Sequence, residues 1–167
     1  MASIARRDLL SGRFQKTQTR PRPPYAIPEA AFTDLCVGCP DCAVACEEDM
    51  IKIDENALPV MRFGEAECTF CGECAKACTT GALDPAKARP WPYVASIKRG
   101  CLALNGIVCR TCGDQCDENA IKFTLMTGGR ALPEVDEENC TGCGACAATC
   151  PNKSISMRES EHARGIA

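Results

Sequence analysis

Hydrophobic and polar positions alternate along this chain in short bursts. Ile51-Lys52-Ile53 and Val60-Met61-Arg62-Phe63 flank a polar turn at Asp54-Glu55-Asn56. Lys122–Met126 and Ala131–Val135 likewise flank Thr127-Gly128-Gly129. Period-two runs separated by turn residues predict two β-hairpins. Further short strands are expected at Ala120–Phe123 and Ser154–Met157, with a weaker one at Ala82-Leu83. Cysteine-rich loops and one or two helical turns fill the intervals. No apolar run approaches the roughly 18 residues that a membrane-spanning helix needs. Prolines punctuate two stretches. Asp84-Pro85 to Arg89-Pro90-Trp91-Pro92 reads as a linker, since proline blocks ladder pairing. Thr17 to Pro28 holds four prolines among basic and polar residues and reads as an extended arm. That arm is expected to be mobile when unbound and to add little to the fold. The division that follows is an arm over 1–29 and two halves over 30–86 and 87–167.

Composition changes the picture by removing the ordinary core. The chain is 46% apolar, but 16 of its 167 residues are cysteine and only eight are aromatic. A fold with so few large apolar side chains must be held by something else. A secreted disulfide scaffold would need a secretory leader, and the N-terminal residues do not read as one. Arg6-Arg7-Asp8-Leu9-Leu10 has the look of a twin-arginine export signal. Ser11, Gly12, Arg13, Gln15, Lys16 and Gln18 then take the place of the apolar stretch such a signal requires.

The cysteine spacing identifies the chemistry. Three runs have the form C-x2-C-x2-C-x3-C: Cys36/Cys39/Cys42/Cys46, Cys68/Cys71/Cys74/Cys78 and Cys140/Cys143/Cys146/Cys150. Zinc sites usually separate two C-x2-C pairs by a dozen or more residues. Four closely spaced thiolates instead suit a cubane: three wrap one face, and the fourth ligates the other cluster of a pair. The fourth set, Cys101/Cys109/Cys112/Cys116, keeps the last two spacings and carries five extra residues after its first cysteine. Sixteen cysteines therefore predict four [4Fe–4S] clusters. A proline follows only Cys150, so the turn after the other three runs is expected to be less fixed. The fold class that results is α+β, two ferredoxin-like halves in tandem with a short extended basic N-terminal arm. The hairpins favour pairing run one with two and three with four, while a nested arrangement remains open. His162 reads as a solvated side chain, and Trp91 and Tyr93 as packing over the linker. Lacking a nucleophile–base constellation or a phosphate loop, the chain is not read as an enzyme or as having a small-molecule substrate.

Charge is unevenly distributed. Residues 1–24 sum to +5, which leaves −8 on the remainder. An acidic body does not suit nucleic acid and does suit docking to a redox partner.

In sequence the chain resembles the NapF family of ferredoxin-type proteins of the periplasmic nitrate reductase system. The resemblance rests on Arg6-Arg7-Asp8-Leu9-Leu10-Ser11-Gly12-Arg13, on Arg22-Pro23-Pro24-Tyr25, on the linker ending in Arg89-Pro90-Trp91, and on the long third set from Cys101 to Cys116. It implies a cytoplasmic protein that binds the catalytic molybdoprotein subunit of nitrate reductase before export and helps mature it, with electron-transfer capacity. Arg6 and Arg7 would contribute to that partner contact. The alternative is a generic electron-transfer subunit of another oxidoreductase complex.

Overall fold

The computed structural model describes residues 20–87 and 91–160. Arg6, Arg7, Arg89, Pro90 and His162 lie outside the described residues. Elements run in the order α1 (Glu29–Leu35), α2 (Asp41–Val44), β1 (Ile51–Ile53), β2 (Pro59–Met61), α3 (Glu73–Lys76), β3 (Tyr93–Ile97), a 3-10 turn (Ala103–Asn105), α4 (Thr111–Asp114), β4 (Ile121–Leu125), β5 (Ala131–Val135), α5 (Ala145–Ala148) and β6 (Ile155–Glu159). The fold is a small α+β assembly of short helices and strand pairs.

Both expected hairpins form. β1 pairs antiparallel with β2, with Ile51 opposite Met61. β4 pairs with β5, with Ile121 opposite Val135. The turn of the first is fixed by Asp54, whose carboxylate accepts from the backbone N–H groups of Asn56 (2.8 Å) and Leu58 (3.0 Å). Burial raises the Asp54 pKa, but those two donors and Arg20 outweigh it and hold it below the ordinary carboxylate range. A third pair, β3 with β6, joins Tyr93 to Glu159 and Ile97 to Ile155. It starts only two residues beyond Trp91, so the proline stretch read as linker ends in a strand.

The expectation that the arm adds little to the fold does not hold for residues 20–28. They are extended, yet they are packed. Pro23 is fully buried. The Met61 N–H donates to the Pro21 carbonyl at 2.7 Å, Asp84 N–H to Tyr25 at 2.8 Å, and Ala26 bridges Leu83. Arg22 pairs with Glu29 at 2.8 Å and stacks 5.0 Å over the Phe32 ring. Arg20 reaches Asp54 at 2.9 Å and pairs with Glu55 as well. The stretch thus covers the first half, and α1, which sequence periodicity did not signal, closes it with Phe32 at zero exposure.

Each half has a small apolar centre. Ile27, Phe32, Met50, Ile51, Met61 and Leu83 form the first, and Ala95, Ile121, Ala147 and Ile155 the second. Trp91 belongs with the first and packs edge-on against Phe63 and Phe70, with ring centres 6.5 and 6.1 Å away, and tilted at 5.2 Å from Tyr93. These two aromatics do pack, and what Trp91 packs against is the pair Phe63 and Phe70 together with Tyr93. No helix among the described residues is long and apolar enough to cross a membrane.

Candidate metal centres

In every set the third cysteine sits on a single helical turn: Cys42 on α2, Cys74 on α3, Cys112 on α4 and Cys146 on α5. These four are buried, and the fourth cysteine of each set follows directly on the turn's end. Gly72 and Gly144 precede α3 and α5 at φ 80° and 92°, a left-handed conformation that glycine adopts without strain.

Tertiary packing then sorts the sixteen thiols into four cavities. Cys36, Cys39 and Cys42 line one together with Cys78. Cys68, Cys71 and Cys74 line the next together with Cys46. In the second half, Cys140, Cys143 and Cys146 meet Cys116. Cys101, Cys109 and Cys112 meet Cys150. Each cavity takes three cysteines from one set and the fourth from its neighbour. The arrangement is the adjacent one, with ligands crossed within a half, and not the nested alternative. The irregular third set is brought together as completely as the others.

The cavities also fall into an order. The two inner ones, of about 210 and 310 Å³, share Cys68, Thr69 and Phe70 in their walls. The Cys68 N–H donates to the Cys143 carbonyl at 2.8 Å across the junction of the halves. A side chain at Gly142 would run into the Tyr93 carbonyl oxygen and the Trp91 ring, and one at Gly144 would stand 2.7 Å from Phe63. The halves approach this closely because Gly144 has no Cβ, while the bare Gly142 admits Tyr93 and Trp91 within the second half. The outer cavities are tighter, about 20 Å³ each, and lie at opposite ends of the series.

A local device recurs beyond the cysteines. Three residues after each fourth cysteine the backbone turns left-handed: Asp49 (φ 52°), Gly81 (77°), Asn119 (52°) and Lys153 (45°). The turn folds backbone N–H groups onto sulfur: Leu83 onto Cys78 (3.4 Å), Ala120 onto Cys116 (3.3 Å) and Ser154 onto Cys150 (3.3 Å). Ala95 of β3 does the same to Cys140 at 3.5 Å. The expectation of a less fixed turn where no proline follows is thus corrected. The left-handed residue builds it in all four sets, and Asn, Asp and Gly at that spacing were the available signal.

The donor set fits polynuclear iron–sulfur groups. Among the described residues no group of Cys, His, Asp or Glu closes on a single metal ion. The thiols instead ring a volume. Burial, then repulsion from neighbouring cysteines, pushes Cys42 and Cys112 up to about 11 and Cys74 and Cys146 up to about 12. Thiols so placed stay protonated until cationic iron replaces the proton. Cys78 goes the other way: burial raises it, but the Thr80 hydroxyl and the Leu83 N–H outweigh that and hold it below the ordinary thiol value.

Comparison with known proteins agrees with this geometry. The model of the 4Fe-4S dicluster domain matches twice, at residues 35–82 and 107–154. Cys101 falls outside the second span, as its displaced position would suggest. Two dicluster matches on sixteen cysteines give a complement of four [4Fe–4S] clusters. The chain is 36% identical over 151 residues to the ferredoxin-type protein NapF of Escherichia coli strain K12, covering 90% of this chain and 92% of that protein. NapF of Haemophilus influenzae is 37% identical over 138 residues, covering 83% and 78%. The methylamine utilization ferredoxin-type protein MauM of Methylorubrum extorquens is 35% identical over 151 residues, covering 77% and 67%.

Proposed function

We propose a function from one premise: this chain belongs to the NapF family of ferredoxin-type proteins. It binds the catalytic molybdoprotein subunit of periplasmic nitrate reductase in the cytoplasm, before export, and helps to mature it. It acts as an electron-transfer and maturation protein, with no catalytic site of its own. The observation that carries this reading is similarity to NapF along nine-tenths of the chain, which includes the long third cysteine set and the proline arm.

Residues 30–86 form one two-cluster half and residues 87–167 the other. Cys36, Cys39, Cys42 and Cys78 hold one cluster, and Cys46, Cys68, Cys71 and Cys74 the next. Cys116, Cys140, Cys143 and Cys146 hold the third, and Cys101, Cys109, Cys112 and Cys150 the last. The lining of the four cavities supports this assignment. Bound clusters supply one-electron redox chemistry. The chain's own residues place the thiolates and exclude water from the buried third cysteine of each set. Backbone N–H groups aimed at Cys78, Cys116, Cys140 and Cys150 stabilise negative charge on sulfur. The shared wall of the inner cavities supports one path through both halves rather than two.

The reading is tested by co-purification under anaerobic conditions, with tagged holoprotein and the cytoplasmic catalytic subunit. A stable complex whose loss lowers active enzyme in the periplasm supports it. A holoprotein that binds no catalytic subunit overturns it. The second reading, an electron carrier in another oxidoreductase complex, is favoured by the similarity to MauM, a methylamine utilization ferredoxin-type protein. Recovery with a different oxidoreductase would support it.

A further inference from the structure

The five residues inserted after Cys101 have no part in the relay just described, yet they are built rather than loose. The Asn105 side-chain amide donates to the carbonyls of Arg99 and Cys101, at 2.8 Å each. Gly106, at φ 83°, then reverses the chain and sends Ile107 and Val108 outward. The 3-10 turn packs against β5, so the insertion and the tip of the second hairpin enclose a groove of about 310 Å³. Its apolar wall includes Ile107, Val108 and Leu125. Val108 is 89% exposed and Leu125 79%. With Leu104, Ile107 and Met126 they make five of the nine large apolar side chains exposed among the described residues. An apolar patch of this kind, kept in water next to a redox centre, marks an interaction surface.

Two further observations say what fits it. The only charged residues lining the groove are Arg110 and Arg130, neither ion-paired among the described residues, on a chain whose net charge is −3. Cys109 lines both this groove and the outer cavity it shares with Cys101, Cys112 and Cys150. An occupant of the groove would therefore touch a thiolate ligand at the end of the series.

We infer that this groove is the docking surface for the redox partner, and that it takes an apolar side chain set among carboxylates. The inference rests on the maturation reading above. The other end of the molecule differs in sign: there the exposed Val37 and Val44 have Asp34 and Asp41 for neighbours. A second copy of the chain could present that end to the groove, but such a head-to-tail contact does not close and would build filaments. A separate protein is the occupant, and the arginines orient it.

The test measures binding of the purified catalytic subunit to holoprotein carrying Val108→Asp, Leu125→Asp or Arg130→Glu, with Val44→Asp as the control at the far end. Iron content and visible spectrum are recorded for each, and Leu125→Asp keeps the test valid if a charge beside Cys109 disturbs its cluster. We expect each groove variant to weaken binding about tenfold or more with iron retained, and the control to match the wild type. A cross-linker at position 108 should capture a partner segment with an apolar residue between acidic ones. Wild-type binding that survives all three groove variants overturns the docking surface and leaves the maturation reading standing. No wild-type binding removes both. If the variants change only self-association, seen by sedimentation, the groove is a contact between copies and the inference is wrong.

Discussion

A left-handed backbone costs a non-glycine residue about 1–2 kcal/mol, and this chain accepts that cost at Asp49, Asn119 and Lys153. What it gains in the second half is a backbone N–H directed at a cysteine sulfur. Such bonds favour the more negative, reduced state of a cluster and so raise its potential. Asn119→Val places a β-branched side chain at φ 52°, so it should strain the turn and release the Ala120 N–H from Cys116. We expect the midpoint of the inner second-half cluster to fall, read by a potentiometric titration followed by electron paramagnetic resonance. Lys153→Gly relieves strain without moving the N–H, and should raise thermal stability with the potential unchanged. A second residue-scale prediction concerns the crossed ligands. Cys46→Ser should perturb the cluster of Cys68, Cys71 and Cys74, because those four thiols share a cavity. Perturbation confined to the cluster of Cys36, Cys39 and Cys42 would contradict the assignment.

At the scale of elements, the parts legible in the sequence were those whose cause is local. Both hairpins follow from alternation around Asp54-Glu55-Asn56 and Thr127-Gly128-Gly129, and each cysteine run signals its helical turn by spacing alone. The β3–β6 pair was not legible, because it joins residues some 60 apart and follows prolines that argue against a strand. Nor was α1, whose seven residues begin after Pro28 and owe their place to the buried Phe32. The junction of the halves was hidden for the same reason. At Gly144 the missing Cβ leaves room for Phe63 of the other half, a long-range contact that no local pattern signals. Gly144→Ala should therefore push against Phe63 and part the inner cavities. The measurement is spin coupling in the fully reduced protein. Coupling between the inner clusters should weaken, coupling within each half should persist, and iron should stay at about sixteen per chain. Unchanged coupling between the halves would mean that the junction does not set the inner spacing.

For the whole molecule, two small apolar centres and sixteen thiols leave the folding free energy to the clusters. Chelation under reducing conditions should abolish amide-exchange protection in both halves together, and protection that survives would refute metal-dependent folding. Charge acts at this scale too. Residues 20–28 belong to the fold, so a deletion reaching Pro23 would remove buried structure and say nothing about docking. Residues 2–19 hold Arg6, Arg7, Arg13 and Lys16 against Asp8, a net +3 on an otherwise acidic chain. Removing only these should leave iron content and spectrum intact, weaken binding of the catalytic subunit, and flatten its salt dependence, since exposed charges attract through a screened field. Arg6→Gln with Arg7→Gln should reproduce part of the loss. Combining the deletion with Val108→Asp separates two ways the arm could act. If arm and groove meet different parts of the partner, the losses add, as they do for independent sites. If the arm binds only by lying across the groove, the double change costs no more than the larger single one. A truncated protein that binds as tightly as the full chain would show that the arm has no part in docking.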